Sequence, residues 1–586
     1  MEWNGSVDNA SNSEARDSGI AASSRLLSSE TSVRKPQSFP DPLPVSDPEQ
    51  TLFLDSLLNP EATPDVEEVP RLGIPGYITA LPSGLDLEAL QFLRVRGALS
   101  IPTAEVIDEL IGAYVCYIHP FMPLLDMRPF IRAVDSDGEN EKISLLLFQA
   151  VMFAGATFVN EGCLSRAGYQ NRNQACTSLF DRSQLLYNAD IESDPTTLTQ
   201  ALLLMTYYHH DPGHTKGRHH LLTAACSFGT DTGLDGSPEP EVFPVAHRKL
   251  RRRLWSCCLI VDKFVSMSER RVACIHPGKS TAHTLELGDL NDTDLNDALD
   301  RYYMRDRETD ARILRKLSIM NTKIYSIIDH ILNTLYTPVV YSDTLTFTTK
   351  TVLVPQTSTE IAPDCMALDQ ELRKWYAELS TTEGSNVGRD HRRNGRVVGV
   401  HSAIVEMLYN TALILVHRPH ATLRLPENSA ARFLQEFSGA VTNEAARRIT
   451  DIATPLQEGH LLRFLPPVGV TALFTAAREH VGDVRSGDTT TRNRGRGYFD
   501  QTKMLLIHLQ SVYKSAEWAV RVIDSICTRL VNESELDAAT GDGDVSESLP
   551  ASPETVMTGY AAELLFAGRL GTAGLESKDI DWSVVK

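Results

Sequence analysis

His247-Arg248-Lys249-Leu250-Arg251-Arg252-Arg253-Leu254-Trp255 is the densest basic run in the chain, and the apolar residues threaded through it set its conformation. Leu250, Leu254, Cys258, Val261 and Val265 recur at steps of three or four, the spacing that lines one face of an α-helix. A basic run of this density also suits a nuclear import signal or a phosphate-binding face. The interleaved leucines and Trp255 make folding into an amphipathic helix its first use. Asp262 sits on the same helix among apolar residues. A carboxylate withdrawn from water needs a cationic partner, expected from one of Arg251, Arg252 and Arg253 or from a basic residue on a neighbouring helix.

Outward from this run the helical period persists. Val106, Leu110, Ala113, Tyr114 and Tyr117 form one stripe after Pro102, stopped by His119-Pro120-Phe121-Met122-Pro123, where two prolines remove donors and restrict the residues before them. Val400, Ile404, Met407, Leu408 and Leu415 form another, and Ile143–Val159 and Leu198–Tyr208 read as buried helices. Alternating strands separated by tight turns are not apparent. Thr351-Val352-Leu353-Val354 could be extended but has no evident partner nearby. The predicted fold class is therefore all-α. Three stretches are expected as loops: Thr281–Asp300, Glu383–Gly395, and a Gly/Arg/Thr segment from Val484 to Gly497 that should be mobile.

At 586 residues the chain exceeds what one hydrophobic core usually serves, and length alone suggests about three to four folding units or one large helical array with tails. The net charge of −20 speaks against coating nucleic acid or anionic membrane by bulk attraction. Its distribution is uneven. The first 80 residues hold 13 acidic against 5 basic side chains, and residues 531–586 hold 11 against 3, so most of the charge lies at the two ends. The expected organisation is a disordered acidic segment over 1–83, an all-helical body over 84–530, and an acidic, largely disordered tail over 531–586. Within the first segment Leu52-Phe53-Leu54-Asp55-Ser56-Leu57-Leu58, flanked by acids, resembles an activation segment that folds in a partner's groove; docking on the chain's own body is the alternative.

Nine scattered cysteines give no disulfide framework and fit reduced thiols. The polar start Met1-Glu2-Trp3-Asn4-Gly5-Ser6 does not read as a signal peptide. The apolar run 143–159, with Gln149 near its middle, falls short of the roughly 20 residues a membrane span needs, so no membrane partner is expected.

A search for chemistry returns little. Nucleophile elbows, phosphate loops, His-Glu-x-x-His helices and Cys-x-x-Cys pairs are missing. His209, His210, His214, His219 and His220 cluster within 12 residues, but Pro212-Gly213 breaks the helix that would align them, so a polar turn is the plainer reading than a metal site. No catalytic, cofactor-binding or metal residues are assigned, and no enzyme is expected.

Asp231-Thr232-Gly233-Leu234, Arg251-Arg252-Arg253-Leu254-Trp255 and Val261-Asp262-Lys263 together resemble the signature of the fungal-specific transcription factor domain, the middle homology region of fungal binuclear zinc-cluster regulators. Further stretches agree in order: His119, Pro120 and Pro123 in the opening motif, Leu145–Ala150 in the first buried helix, Tyr409 to His417-Arg418-Pro419 later, and Ala516-Glu517-Trp518-Ala519 near the close. The span is about 84–530, with residues 92–99 and the His-Pro-Phe-Met-Pro motif resembling regulators of the cutinase transcription factor type.

Three departures stand out. Ser256 occupies the place of a usual second aromatic, and Ser268-Glu269-Arg270-Arg271 replaces the usual Gly-Arg-Pro, which should reshape that turn. The family's zinc cluster needs six cysteines near the N-terminus, whereas the first here is Cys116. The resemblance implies a nuclear regulator of a catabolic or secondary-metabolite gene set, with transcription machinery or co-regulators as partners and homo- or heterodimer contacts in the body. DNA contact is expected to be weak, or supplied by a partner or by a cluster lost from the gene model; zinc would belong only to such a cluster. The alternative is a stand-alone helical effector-binding or co-regulator protein with no direct DNA binding.

Overall fold

Asp86, Asn171 and Asp194 each precede an apolar helical run and cap it, accepting from Ala89 N–H at 2.6 Å, Gln174 N–H at 2.9 Å, and Thr197 N–H at 2.9 Å. The computed structural model describes residues 74–139, 141–208, 217–236, 243–276, 285–290, 292–303, 307–343, 348–356, 358–380, 396–421 and 432–525. In chain order the helices are α1 (Leu87–Val95), α2 (Ala104–Tyr117), α3 (Met127–Asp135), α4 (Leu145–Phe158), α5 (Glu161–Arg166), α6 (Arg172–Asn188), α7 (Pro195–Met205), α8 (Arg218–Asp231) and α9 (Val245–Glu269). They continue with α10 (Asp292–Tyr302), α11 (Arg307–Leu335), α12 (Ala362–Ser380), α13 (Arg396–Ala421), α14 (Arg432–Glu458), α15 (Pro467–Val484), α16 (Thr489–Leu509) and a closing helical segment over 514–525. The all-α expectation holds.

Two helices lie inside the molecule: α4 is apolar on nearly every face, as a buried helix usually is, while α13 sets His401, Glu406, His417 and Arg418 among its apolar residues. Every residue of α4 is buried, and so is every residue of α13 from Val397 to His420. Helix α13 packs against α11, α12, α14 and α15; α4 packs against α2, α6 and α7. By length and composition α13 could cross a membrane, but 94% of its apolar window is buried against the protein itself. One core cluster extends from Tyr77 to Ile523. Residues assigned by sequence to the N-terminal segment take part in it: Ile143 N–H donates to Tyr77 O at 2.8 Å, and Thr79 N–H to Ile143 O at 2.9 Å.

The structure corrects three local readings. Thr351–Val354 does have a partner: β1 (Tyr336–Asp343) and β2 (Thr348–Pro355) form an antiparallel hairpin with Tyr336 opposite Pro355 and Asp343 opposite Thr348. Periodicity missed β1 because it continues directly from α11. Inside the expected loop 281–300, residues Leu287–Asp289 make a short 3₁₀ turn and Asp292 onward is α10. The Gly/Arg/Thr stretch begins α16, with Asp488 accepting from Thr491 N–H at 2.8 Å. Its Gly495 is a close-packing residue: an added Cβ would lie 2.5 Å from Asp483 Cβ on α15. The expected loop at 383–395 and the segment Leu52–Leu58 fall outside the described residues.

Candidate functional site

The motif Asp231-Thr232-Gly233-Leu234 ends α8. Gly233 takes φ +69°, a left-handed conformation open to glycine at little cost. Leu234 N–H donates to Gly229 O at 2.9 Å and Gly233 N–H to Thr230 O at 2.8 Å, the paired bonds that close a helix end over its free carbonyls. Arg251 on α9 donates from Nη2 to Thr232 O and Gly233 O, both at 2.9 Å, tying the two helices together. Arg252 Nε lies 2.7 Å from Asp289 Oδ1, and buried Arg253 pairs with Asp126. Trp255 is in the core. The basic run is therefore an internal clamp, each arginine committed to a different element.

Asp262 does not pair with any of those arginines. Nine residues separate it from Arg253, about 14 Å along a helix, beyond their reach. Its partner is the next residue: Lys263 Nζ lies 3.0 Å from Asp262 Oδ2 and 3.0 Å from Asp329 Oδ1 on α11, and donates to Ile275 O at 2.6 Å. Cys274 and Ile275 N–H also donate to the Asp262 carboxylate, at 2.8 and 3.0 Å. Three neighbours, Asp329, Cys274 and Ile275, thus satisfy a carboxylate and an ammonium that are both almost wholly buried. Beyond them Arg270, in the departure from Gly-Arg-Pro, takes the left-handed conformation at φ +51°, and its carbonyl accepts Leu353 N–H of β2 at 2.7 Å.

His119, Pro120 and Pro123 meet Arg253, Leu290, Leu314 and Ser318 around a cavity of about 20 Å³. His119 Nδ1, Arg253 Nε and Ser318 Oγ are buried without a hydrogen-bond partner. A space of this size with three polar walls suits one water. Burial, then the Arg253 charge, pushes His119 down to about 3, so it is neutral and a poor proton carrier near neutral pH.

His417, Arg418 and Pro419 close α13. His417 Nε2 lies 3.2 Å from Asp369 Oδ1, and its Nδ1 lies 3.2 Å from Ser438 Oγ and 3.9 Å from Cys365 Sγ. A cysteine, a histidine and an aspartate in line have the outline of a catalytic triad, yet the chemistry fails. Cys365 donates to Val416 O at 3.4 Å, burial pushes its thiol up to about 12, and Cys365 and His417 are wholly buried. Arg418 pairs with Glu479 on α15 beside Arg270 and Arg478. Burial, then the Arg418 charge, lowers Arg478 to about 9. Arg270 lies with its guanidinium carbon 5.1 Å over the Tyr336 ring.

The structure so divides the sequence-selected residues among separate centres. Lys263 as a partner, Asp369, Cys365 and Glu479 were not singled out from sequence. A usable signal existed for Glu479: Arg478-Glu479 follows the apolar run Val470–Ala477, a charged pair where water is absent. Of the histidine cluster, His209, His210 and His214 lie outside the described residues. His219 Nδ1 sits 4.0 Å from Cys274 Sγ, and burial pushes His219 down to about 4. Among the described residues no group of three or more His, Cys, Asp or Glu side chains could hold a metal ion.

Comparison with known proteins places these centres in context. The family model for the fungal specific transcription factor domain matches residues 111–376. Cutinase transcription factor 1 beta of Fusarium vanettenii is 31% identical over 469 residues, 77% of this chain and 53% of that protein. A transcription factor of Fusarium pseudograminearum is 31% identical over 80% of this chain and 53% of its own length. Transcription factor cpaR of Aspergillus oryzae is 29% identical over 76% of this chain and 75% of its own. The chain thus spans about half the length of the first two relatives. The His119, Gly233, Arg251–Arg253, Trp255 and Asp262 centres all fall within the span that matches the fungal specific transcription factor domain.

Proposed function

We propose that the chain is a fungal transcription regulator whose helical body, residues 84–530, acts in the nucleus on a catabolic or secondary-metabolite gene set. The carrying observation is the domain match over 111–376, joined by relatives that are themselves named as transcription factors. The interior centres support a non-enzymatic role: His119 is held neutral, and Cys365 is protonated and closed off from solvent. The acidic ends, 1–83 and 531–586, contact transcription machinery or co-regulators, and the body supplies homo- or heterodimer contacts. DNA is reached through a partner or through an N-terminal zinc cluster outside this sequence, and zinc belongs to that cluster alone.

Tethering the chain to a heterologous DNA-binding domain tests this reading. Reporter output should rise or fall, and an unchanged output overturns it. In a gel shift the chain alone should bind DNA weakly or not at all. A groove of about 600 Å³ lined by Val95, Arg96, Asn173, Gln174, Asp181 and Lys514 favours a second reading, a helical effector-binding protein without a direct transcriptional role, which the same reporter separates from the first.

A further inference from the structure

Helix α1 reads Leu87-Glu88-Ala89-Leu90-Gln91-Phe92-Leu93-Arg94-Val95, is closed by Arg96, and lies before the span that matches the family model. Its inner face is anchored: Leu93 is 1% exposed, and Leu85 and Leu90 pack against the core. Its outer face leaves three large apolar side chains in water, Leu87 at 56%, Phe92 at 54% and Val95 at 62%. Exposed apolar side chains gathered in one short helix, rimmed by charge, have the character of a contact surface.

The order of side chains on that face says what it meets. Glu88, Phe92 and Arg96 follow one another at steps of four, so they form one stripe that reads acid, aromatic, base, and all three are exposed. Eight positions along a helix span about 12 Å, which keeps Glu88 and Arg96 from pairing within one chain. Neither pairs with any other described residue. A second copy of the stripe laid antiparallel sets Phe92 on the partner's Phe92 at the dyad. The same placement brings Glu88 of each copy against the partner's Arg96. A parallel copy would oppose like charges instead. The stripe is therefore complementary to itself in one orientation, the condition for a two-fold interface between identical chains.

We propose that α1 is a homodimer contact, formed by antiparallel pairing of the Glu88–Phe92–Arg96 stripe between two copies of this chain. The paired rings are the anchor, and Leu87 and Val95 beside them add apolar burial. The two Glu88–Arg96 pairs lie at the exposed rim, where an ion pair fixes orientation more than it adds strength. One short helix from each copy buries less than the roughly 1,200 Å² of a stable interface. The dimer is accordingly reversible, and its population depends on protein concentration.

The contact gives the regulator reading a site for its homodimer, but association is measured on the purified full chain without any reporter, so either can fail alone. Sedimentation velocity is run from about 1 to about 300 μM, the range in which weak interfaces associate. The wild-type chain should pass from monomer towards dimer across that series. Phe92→Ser should hold it monomeric, and because Phe92 is exposed the melting temperature should stay at the wild-type value. Glu88→Lys alone and Arg96→Glu alone each set like charges across the dyad and should weaken association by about tenfold or more. Mixing those two variants, or combining the substitutions in one chain, restores opposite charges and should restore the dimer. A wild-type chain that stays monomeric at the highest concentration overturns the proposal. So does a dimer that survives Phe92→Ser, or a charge swap that fails to restore association.

Discussion

Arg418, at the end of α13, donates from Nε at 3.1 Å and from Nη2 at 2.6 Å to one oxygen, Oε1 of Glu479 on α15. The side chains are 2% and 15% exposed. Burial works against ionisation of Glu479, but Arg418 and then Arg478 outweigh it and hold the carboxyl below its usual range. Glu479→Gln leaves two guanidiniums without their shared carboxylate and should cost about 3–5 kcal/mol in urea unfolding. The pH sign follows from the lowered value. The pair's contribution is complete above the unfolded carboxyl pKa of about 4.3 and is lost as pH falls through the folded one. An unchanged unfolding midpoint for Glu479→Gln would contradict this account.

Asp262→Ala removes the Lys263 pair and the acceptor for two backbone N–H groups in one step. The expected loss is again about 3–5 kcal/mol, because Lys263 stays buried with only Asp329 to compensate it. Differential scanning calorimetry reads it directly. A wild-type melting temperature in the variant would show that the centre does not hold α9 to α11.

His401 lies in the middle of α13, with Nε2 2.9 Å from Cys116 O, and burial pushes it down to about 4. Below the unfolded value of about 6.5 the unfolded chain takes a proton that the folded one refuses, so stability falls with falling pH between those limits. His401→Gln keeps a donor for Cys116 O and does not titrate. Its stability should vary between pH 6 and 5 by about 1.4 kcal/mol per unit less than wild type. Equal slopes for the two proteins would count against a neutral buried His401.

Gly495→Ala sets two effects against each other. Alanine favours a helix over glycine by about 1 kcal/mol, but its Cβ would meet Asp483 Cβ at 2.5 Å and Asp483 C at 2.9 Å. Overpacking against a neighbouring backbone costs about 1–3 kcal/mol and should win. The variant should unfold at lower urea concentration. A more stable variant would mean that α15 and α16 can separate freely.

Much of the fold was legible from sequence, and the legible parts share a cause. The stripes at Val106–Tyr117, Leu250–Val265 and Val400–Leu415 became α2, α9 and α13 because spacing of three or four encodes which helix face leaves water. The hairpin was not legible, since β1 follows α11 without a break and its partner must be found across space. The start of α16 was obscured by Gly and Thr, which read as loop formers until the close contact at Asp483 is seen. The His119 cavity shows the mixed case. The motif stood out in the sequence, but its meeting with Arg253, 134 positions later, did not.

By itself the sequence determined the helical class, the acidic ends and the likeness to a fungal transcription factor domain, all properties of short-range pattern and composition. Tertiary structure alone decided where each charge goes: Asp262 to Lys263 rather than to the arginines, Arg253 to Asp126, and Arg418 to Glu479, 61 positions away. The reason is physical. Periodicity records how much of a residue leaves water, whereas a buried charge answers to whichever group lies within a few ångströms once the helices have packed.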